Sequence, residues 1–377
     1  MFEIVRQDTA TDARVGKLTT THQIVDTPAF MPVATKATIK TLTPDEIRDM
    51  GTQAIISNAF HLYLSPGHEV IEEAGGLHKF MSWDGAIFTD SGGFQILRKE
   101  FKFKLNNQGI NYFNSRDGER YMYTPELCME IQGSLGSDVA MVLDDCPPWG
   151  SNHDEGIESV CRTVDWARRC LEARCNDDQL VFAILQGGTY PDLREACAAR
   201  LVEMDFDGYG IGGLSIGEPK EVMHEIIKQN LPMIPAGKPR YLMGVGSPLE
   251  LLDSISLGVD IFDSAFPTRN ARHQTVMTRH GQMDLRRASN VKDFNPIDEE
   301  CGCYTCRHFT RGYLYHLFKE SELLAMRLAS IHNVHFLQDL VRDARIAILE
   351  NRFAEFREQF KQAYTNSDQS LFRSSEV

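Results

Sequence analysis

Eight short apolar segments recur along the first 263 residues of the chain, and each leads into polar residues or glycine. Short continuous apolar runs of this kind are typical of strands that are buried on both faces of a sheet. Helical patterns lie between them, and this alternation favours parallel strands joined by right-handed crossovers. The sequence therefore predicts an α/β fold, a (β/α)8 TIM barrel. The segments are 27–33, 54–58, 86–90, 139–145, 181–188, 208–213, 241–246 and 258–263, and the helical patterns are 43–50, 125–135, 152–174, 191–204, 220–231 and 248–257.

A barrel would bring the carboxyl ends of these strands to one mouth, where barrels of this kind hold their active sites. The alternative fold is an open doubly wound sheet. It is favoured less because no Gly-x-Gly-x-x-Gly turn follows the first strand. Residues up to about 23 precede the alternation and are typical of a hairpin. Two features interrupt the alternation: residues 110–123 alternate like an inserted hairpin with its turn at 116–118, and the pattern ends past about residue 272.

We predict three parts of the chain from these patterns. A barrel core with a catalytic mouth covers 1–272, and a zinc-binding subdomain with C-terminal helices packed on the barrel covers 273–365. Within the second part, residues 339–360 form one long amphipathic helical pattern. The polar residues 366–377 predict a disordered tail.

The composition is ordinary for a soluble globular protein, with 42% hydrophobic and 24% charged residues. No apolar run approaches the roughly 20 residues of a membrane helix, and the N-terminus has no signal-peptide pattern. We therefore expect a cytoplasmic protein without a membrane partner. The net charge of −14 argues against general affinity for nucleic acid. Residues 263–316 differ, because eight Lys or Arg outnumber six acidic residues there, so any RNA contact should be local.

Three of the nine cysteines lie within six positions, at Cys301, Cys303 and Cys306. An odd number of cysteines without a signal peptide argues for a reducing compartment and a metal site rather than disulfides. His332 and His335 follow on a helical stretch, and spacing alone does not decide between them. Three thiolates and one imidazole make a closed tetrahedral zinc site, which is structural because it has no open position for water.

The apolar segment 86–90 ends in Asp90, and the sequence Ser-Gly-Gly-Phe-Gln follows it. The two glycines allow a tight turn and a close approach of the backbone to a ligand, which favours a functional role for Asp90. The alternative is a helix N-cap, because Asp and Ser both accept hydrogen bonds from free N–H groups there. The eighth segment also ends in an aspartate, Asp263, so the arrangement recurs along the chain.

Seven motifs follow one another along the chain, at 89–95, 185–188, 211–214, 241–246, 262–263, 267–272, and Cys301, Cys303 and Cys306 with His332. In sequence and order they resemble the motifs of the tRNA-guanine transglycosylases, the queuine tRNA-ribosyltransferase family, and they are closest to its bacterial type. The resemblance spans nearly the whole chain. It includes no added C-terminal RNA-binding domain of the kind found in archaeosine-type relatives.

The resemblance implies base exchange at guanine 34, the wobble base of tRNAs for Asp, Asn, His and Tyr, whose anticodons read G-U-N. Guanine leaves, and a 7-substituted 7-deazaguanine base takes its place without a redox cofactor or nucleotide. By similarity, Asp263 is the nucleophile that captures the ribose as a covalent intermediate. Asp90 is similar to the family's general acid and base. We expect the pKa values of the two carboxyls to be pushed apart.

The resemblance also implies a pocket for the base. Asp144 would accept hydrogen bonds from the ring N–H and amino groups, while Gln186 and the Gly213 N–H would bind the carbonyl oxygen. Phe94 and Met243 would stack on the two faces of the base, as is common for an extruded base. The Leu214 carbonyl and Glu218 would bind the 7-substituent. The full set is Asp90, Ser91, Gly92, Gly93, Phe94, Asp144, Gln186, Gly212, Gly213, Leu214, Glu218 and Met243.

Two stretches, one glycine-rich and one basic, match RNA-contacting loops of the family. The first stretch places glycines ahead of a helix N-terminus, which suits a phosphate, and the second supplies arginine charge. Bacterial relatives often carry a further arginine shortly after the position of Arg286, where this chain has Ser289, and we expect the neighbouring Arg287 to compensate. The resemblance further implies a homodimer and one structural Zn²⁺ per chain, with His332 as the fourth ligand. The predicted RNA-binding residues are Gly244, Val245, Gly246, Ser247, Pro248, Leu249, Glu250, Thr268, Arg269, Asn270, Ala271, Arg272, Arg286 and Arg287.

The incoming base is predicted to be 7-aminomethyl-7-deazaguanine, known as preQ1. Queuine-using eukaryotic relatives tend to have glycine at the position of Ile216, and a β-branched side chain is too stiff to move aside for queuine's cyclopentenediol. The alternative is that Ile216 points into the barrel wall and queuine is accepted. Two other functions stay open: a nucleoside or glycoside hydrolase using the same carboxylates with water, and a non-catalytic partner subunit. The presence of both aspartates argues against the partner subunit.

Overall fold

The structure, a computed structural model, describes residues 1–97, 102–114 and 118–372. Its strands form an N-terminal antiparallel sheet, an eight-stranded parallel sheet, a three-stranded insertion and a two-stranded ribbon. In chain order they are β1 (Phe2–Gln7), β2 (Arg14–Thr19), β3 (Ile24–Thr27), β4 (Ala29–Pro32), β5 (Ala54–Asn58), β6 (Ala86–Asp90), β7 (Phe103–Asn106), β8 (Gly109–Phe113), β9 (Arg120–Tyr123), β10 (Val139–Met141), β11 (Leu180–Leu185), β12 (Gly208–Ile211), β13 (Arg240–Leu242), β14 (Ile261–Ser264), β15 (Thr275–Thr278) and β16 (Gly281–Asp284).

The eight-stranded sheet closes into a barrel, with the strand order β4-β14-β13-β12-β11-β10-β6-β5. A parallel bridge between Val33 and Ile56 joins its two ends, and the Ala34 N–H donates to the Ile56 carbonyl at 2.7 Å. Nearly all side chains of β5, β6, β10 and β11 are buried, because core lies on both faces of these strands. The closure confirms the predicted TIM barrel and rules out the open sheet.

The helices predicted between the strands are confirmed, with ends that differ by at most two residues. Short 3-10 turns at Leu231–Met233 and Ala288–Lys292 accompany them. The helices are α1 (Pro44–Asp49), α2 (Ala59–Leu64), α3 (His68–Glu73), α4 (Leu77–Met81), α5 (Gly93–Ile96), α6 (Pro125–Leu135), α7 (His153–Glu172), α8 (Pro191–Val202), α9 (Lys220–Asn230), α10 (Pro248–Ser256), α11 (Phe266–Arg272), α12 (Tyr304–His308), α13 (Arg311–Lys319), α14 (Leu323–Leu349) and α15 (Phe353–Phe372).

The starts of several helices were predictable because local signals define them. Proline is the first residue of α1, α6, α8 and α10, where its fixed φ suits a helix and its missing N–H is not needed. At the start of α7, the Glu155 N–H donates to Asn152 Oδ1 at 3.0 Å, and the Asn152 N–H donates to Glu155 Oε2 at 2.9 Å. Such a capping box satisfies free N–H groups at both positions.

The N-terminal sheet of β1, β2 and β3 is linked to the amino end of the barrel. The Arg14 guanidinium on β2 forms a buried ion pair with Asp260, just before β14, at 2.6 Å. At the same end, the His22 N–H donates to Asp138 Oδ1 at 3.0 Å, just before β10. The predicted N-terminal hairpin is therefore one part of a three-stranded sheet. The opposite end, where the strands reach their carboxyl ends, carries the candidate site.

The predicted insertion is confirmed as the antiparallel pair of β8 and β9. It also has a third strand, β7, which pairs with β8 and was not predicted. Of the predicted turn, residues 116 and 117 lie outside the described residues. The insertion is tied to the mouth because the Tyr123 hydroxyl donates to the Ser91 carbonyl at 2.6 Å.

The prediction of one long helix over 339–360 is wrong, because α14 ends at Leu349 and α15 begins at Phe353. Asn351 has a φ of +53°, a left-handed conformation that asparagine tolerates better than most residues. The Arg352 N–H then donates to the Ala347 carbonyl at 2.9 Å, which ends α14. The helix α15 continues to Phe372, inside the predicted 366–377 tail, and residues 373–377 lie outside the described residues.

The C-terminal helix α14 contacts the barrel. Gln338 on α14 donates to the Phe30 carbonyl of β4 at 3.0 Å, and Arg345 donates to the Pro28 carbonyl at 2.7 Å. The division at 272/273 falls at the end of α11 and stays a prediction. Among the described residues, no helix has the length and apolar character needed to cross a membrane.

Candidate active site and metal centre

Three aspartates meet at the carboxyl end of the barrel. Asp90 ends β6, Asp144 follows β10, and Asp263 lies in β14. Their charges influence one another, because Asp90 adds to the rise in the pKa of both Asp144 and Asp263. The structure therefore brings the two predicted catalytic carboxylates to one mouth, together with the aspartate predicted to bind the base.

Asp90 is held by two amides. Its Oδ2 accepts hydrogen bonds from Gln95 Nε2 at 2.9 Å and from Asn58 Nδ2 at 3.2 Å. Asn58 ends β5 directly opposite Asp90 in the parallel register. Burial raises the pKa of Asp90, and the hydrogen bonds from Gln95 and Asn58 oppose that rise. Gly92, with a φ of +86°, must be glycine, because a Cβ there would lie 2.2 Å from the Phe60 Cβ.

The Asp263 carboxylate accepts hydrogen bonds through only one of its two oxygens among the described residues. Its Oδ1 accepts hydrogen bonds from the Tyr241 hydroxyl at 2.6 Å and from the Gly244 N–H at 2.9 Å. Among the described residues nothing donates to Oδ2, so this oxygen is available to react. Burial raises the pKa of Asp263 to about 6, against the opposing effect of the two donors. Burial thus raises the pKa of both catalytic candidates, and the predicted separation of the two values stays a prediction.

Asp144 and Gln186 form a buried polar pair. Gln186 Nε2 donates to Asp144 Oδ2 at 2.6 Å. Burial raises the pKa of Asp144 to about 7, so it can exchange a proton near neutral pH. Within the described part of the chain, Gln186 Oε1 is buried without a hydrogen-bond partner. A Cβ on Gly213 would lie 2.6 Å from this oxygen, so the two predicted carbonyl-binding groups are adjacent.

The remaining base-binding candidates surround this pair. Ser91, Gly92, Gly93, Gly212 and Leu214 are buried, and Phe94 and Met243 are half-buried. Met243 follows β13, and its sulfur would lie 3.3 Å from a Cβ on Gly210 of β12. The Glu218 carboxylate accepts the N–H groups of Ser215 and Ile216, the latter at 3.0 Å. Glu218 therefore shapes its own loop in addition to the predicted contact with the 7-substituent.

The first predicted RNA-binding stretch, 244–250, runs from the end of β13 into the first turn of α10. Gly244 is exposed, Ser247, Leu249 and Glu250 are half-buried, and Val245, Gly246 and Pro248 are buried. In the described structure no side chain caps the start of α10, which leaves its N–H groups free for a phosphate. Glu250 is paired with Lys220 at 2.8 Å.

The second stretch, 268–272, lies on helix α11 and not in a loop. Thr268 and Ala271 are buried, Asn270 is half-buried and Arg269 is exposed. Arg272 is half-buried, and its Nη1 has no hydrogen-bond partner among the described residues. An unpaired buried guanidinium donor suits an anionic ligand such as a phosphate.

Arg286 and Arg287 differ in their ion pairs. Arg286 is exposed and already paired with Asp284, since its Nη2 lies 2.7 Å from Asp284 Oδ2. Arg287 is exposed beside it, at the start of the 288–292 turn. Arg287 is therefore more available to bind a phosphate, because Arg286 would first have to break its ion pair with Asp284.

The predicted metal ligands converge on one point. His332 Nδ1 lies 3.6 Å from Cys301 Sγ, 3.5 Å from Cys303 Sγ and 3.3 Å from Cys306 Sγ. A tetrahedral site with Zn–S bonds of about 2.3 Å and Zn–N bonds of about 2.0 Å has S···N separations of about 3.5 Å. The donor set and its geometry therefore fit one metal ion.

The surroundings of the cluster favour His332 over His335. His332 Nε2 lies 2.6 Å from the Met277 carbonyl, a contact that fixes the proton on this nitrogen and leaves Nδ1 for a metal. His335 Nδ1 lies farther away, 3.9 Å from Cys301 Sγ, and 3.3 Å from Asp339 Oδ2. Cys301, Cys303, Cys306 and His332 thus form a group that could hold one metal ion.

Sequence reasoning missed several groups that shape the site. Asn58 and Tyr241 both belong to apolar segments that were recognised, but their contacts with Asp90 and Asp263 depend on how strands align. A polar residue at the end of a predicted strand was a signal that could have identified Asn58. Arg194, on α8, contacts the base-binding loops, and its position inside a helix gave no signal of this.

The sequence of the chain is similar to those of known proteins. A family model described as queuine tRNA-ribosyltransferase matches residues 8–366. Three curated relatives bear the name queuine tRNA-ribosyltransferase. The Desulforudis audaxviator protein is 51% identical over 361 residues, covering 96% of this chain and 97% of its own. The Caldanaerobacter subterraneus protein is 50% identical over 364 residues, with 96% and 97% covered. The Listeria welshimeri protein is 48% identical over 364 residues, with 96% of each chain covered.

Proposed function

This chain belongs to the queuine tRNA-ribosyltransferase family, and from that premise we propose how its site works. Membership makes it a tRNA-guanine transglycosylase, a pentosyltransferase that acts on tRNA and a 7-deazaguanine-type base. The proposal is that it exchanges guanine 34 of G-U-N tRNAs for preQ1 through a covalent ribosyl–Asp263 intermediate. One observation supports the proposal most strongly. Asp263, with one carboxylate oxygen free of donors, and Asp90 lie at the same mouth of the barrel.

In the first half of the reaction, the free Oδ2 of Asp263 attacks C1′ of the ribose. Positive charge builds on the ribose as the C1′–N9 bond breaks, and the electron pair of that bond goes to the guanine ring, which takes a proton from Asp90 and leaves as neutral guanine. The Tyr241 hydroxyl and the Gly244 N–H hold Oδ1 and thereby orient the attacking oxygen. In the second half, Asp90 takes the N9 proton of the incoming base, whose nitrogen attacks C1′ and releases Asp263.

Incorporation of labelled guanine into an unmodified G-U-N tRNA tests this function. Stable label in tRNA is the expected result, and tRNAs with other anticodons should take up none. A hydrolase using the same carboxylates would instead leave an abasic site. A non-catalytic partner subunit would give neither product.

The choice of incoming base is proposed to depend on Ile216. Its side chain lines a cavity together with Gln186 and Gly213, the two groups proposed to bind the base carbonyl, and with Trp149 and Tyr190. This placement supports a steric filter, because queuine carries a cyclopentenediol that would have to share this space. The Glu218 carboxylate, on the same loop, would attract the aminomethyl cation of preQ1.

We expect Ile216→Gly to shift the preference from preQ1 toward queuine. Overlap of a few heavy atoms in a packed site costs roughly 1–3 kcal/mol, which corresponds to a change of about 5- to 150-fold in relative use. Competition of the two bases for incorporation into one tRNA measures the shift. Comparable use of queuine by the unmutated protein would refute the filter.

The tRNA backbone is proposed to bind around α10 and α11. We expect Arg272→Ala to weaken tRNA binding by roughly tenfold, because the unpaired Nη1 would contact a phosphate. The slope of log affinity against log salt concentration should fall by about one. Arg168→Ala is the matched control, since Arg168 is exposed on α7 and already paired with Asp165 and Glu172. Equal effects of the two substitutions would contradict the assignment.

A homodimer is proposed from an exposed aromatic patch beside the metal centre. Tyr304, Tyr313 and Phe294 are 50%, 40% and 75% exposed, and Phe309 stacks on Tyr313 with ring centroids 5.5 Å apart. Exposed apolar patches of this kind mark interaction surfaces. Sedimentation at twice the chain mass of 42.7 kDa is expected, and a single-chain mass at micromolar concentration would refute the dimer. A cytoplasmic location stays a prediction.

A further inference from the structure

Arg194, on α8, is a buried cation without a carboxylate partner among the described residues. Its side chain is only 1% exposed. Burial lowers the pKa of Arg194 to about 10, so the guanidinium still carries its charge at neutral pH. Burying an unpaired charge is costly, and an apolar residue of similar volume would avoid that cost. A role beyond packing would explain why a charge is present here.

All three hydrogen bonds of the guanidinium go to backbone carbonyls of the two base-binding loops. Nε donates to Gly188 at 2.9 Å, Nη1 donates to Leu185 at 3.2 Å, and Nη2 donates to Gly212 at 2.9 Å. These carbonyls flank Gln186 at the end of β11 and Gly213 at the end of β12. Arg194 therefore links the two groups proposed to bind the carbonyl oxygen of the base.

The contact with Gly212 has the most direct chemical consequence. The Gly212 carbonyl and the Gly213 N–H belong to the same peptide group, so a charged donor on the carbonyl makes the N–H a stronger donor. Gly213 N–H has no acceptor within the described residues, which leaves it free for a ligand. A Cβ on Gly213 would lie 3.3 Å from Arg194 Nη2, so the cation sits directly behind this peptide.

We propose that Arg194 is a positioning residue for base exchange that strengthens the Gly213 N–H as a donor to the carbonyl oxygen of the base. This inference rests on the proposed function. When the C1′–N9 bond breaks, its electron pair goes to the purine ring, and part of the negative charge reaches the 6-carbonyl oxygen. A cation behind the Gly212–Gly213 peptide stabilises that charge without touching the base.

Two base analogues separate this role from simple packing. 7-Deazaguanine has the 6-carbonyl group, and 2-amino-7-deazapurine lacks it. In Arg194→Gln, inhibition of guanine exchange by 7-deazaguanine should weaken about 2- to 10-fold, because the hydrogen bond from the Gly213 N–H to the carbonyl oxygen is weakened but not removed. Inhibition by 2-amino-7-deazapurine and the KM for tRNA should change little. Arg200→Gln, at an exposed position on the same helix, is the matched control and should affect neither analogue.

Arg194→Lys keeps the charge but not the fork of donors, and it should retain most of the preference for 7-deazaguanine over 2-amino-7-deazapurine. It also carries the test if Arg194→Gln does not fold, as judged by circular dichroism. Equal weakening of both analogues, no weakening of either, or a lysine variant that has lost the preference would overturn the proposal. Failure of the unmutated protein to incorporate guanine would instead refute the proposed function, so the two failures are distinguishable.

Discussion

Replacing Asp263 with asparagine is expected to abolish the covalent adduct between the chain and tRNA. Asparagine has nearly the same shape, but its amide cannot attack C1′ as a carboxylate does. Removing a catalytic nucleophile typically lowers kcat by about 10⁴-fold or more, so exchange should be lost as well. Binding of tRNA should be largely retained, because the Oδ1 position can still accept hydrogen bonds from Tyr241 and Gly244.

Denaturing gels of protein, tRNA and a base analogue measure the adduct. Asp192→Asn is the matched control, since Asp192 is an exposed aspartate on α8 that pairs with His153 at 2.8 Å. The control should form as much adduct as the unmutated protein. An undiminished adduct with Asp263→Asn would eliminate Asp263 as the nucleophile and direct attention to Asp90, the other carboxylate at the mouth.

The pKa of Asp263 predicts how this adduct depends on pH. Burial raises the value to about 6, so the carboxyl is increasingly protonated, and no longer nucleophilic, as the pH falls below about 6. Adduct formation should therefore rise with pH through this range and level off above it. Burial also raises the pKa of Asp144 to about 7, and Asp144 is proposed to bind the base, so attachment of the incoming base should show a second pH dependence near pH 7.

The barrel could be predicted because the same physical condition applies to every strand. Parallel strands covered by helices are buried on both faces, so each reads as a short apolar run. β7 escaped prediction because Phe103, Lys104 and Asn106 are exposed and only Leu105 packs partly inward. The break between α14 and α15 escaped it because the helical pattern continues across Asn351, and asparagine is a weaker stop signal than glycine.

Some residues of the candidate site could be predicted from the sequence, and the residues that hold them in place could not. Asp90 and Asp263 end apolar segments, so their convergence on one mouth follows from the barrel alone. Asn58 holds Asp90 and Tyr241 holds Asp263 through contacts between neighbouring strands, which require the strand order, whereas Gln95 holds Asp90 from the turn that follows it. Arg194 comes from a helix on the outside of the barrel and reaches inward to three carbonyls. Contacts of this kind leave no local pattern in the sequence.

At the metal centre, sequence spacing identified the three cysteine ligands, but the choice of the histidine ligand required the fold. The three cysteines are close in sequence, whereas His332 and His335 are both on α14 and differ by less than one helical turn. The packing of α14 against β15 brings His332 Nε2 to the Met277 carbonyl, and its packing against α12 brings Nδ1 to the sulfurs. That contact is the physical reason for assigning His332, in addition to the family resemblance.

Loss of the metal is expected to unfold the part of the chain that follows the barrel. We propose one structural Zn²⁺ per chain, held by Cys301, Cys303, Cys306 and His332. Binding energy at such sites is folding energy, roughly 10–16 kcal/mol in zinc-finger peptides, which exceeds the whole stability of many domains. Cys303→Ser should therefore lose the metal and expose the amides of residues 273–349 to hydrogen exchange. Metal analysis should find about one zinc in the unmutated chain.

Matched substitutions decide which ligands are right. Cys161→Ser is the control, because Cys161 is an exposed free thiol on α7, far from the cluster in sequence, and zinc content and melting temperature should be unchanged. His332→Ala should lose the metal, whereas His335→Ala should keep it, since His335 lies beside Asp339 instead. Full zinc content in His332→Ala with loss in His335→Ala would reverse the assignment. Full zinc content in Cys303→Ser would refute Cys303 as a ligand, because its loss would leave two thiolates and one imidazole and one tetrahedral position without a protein donor.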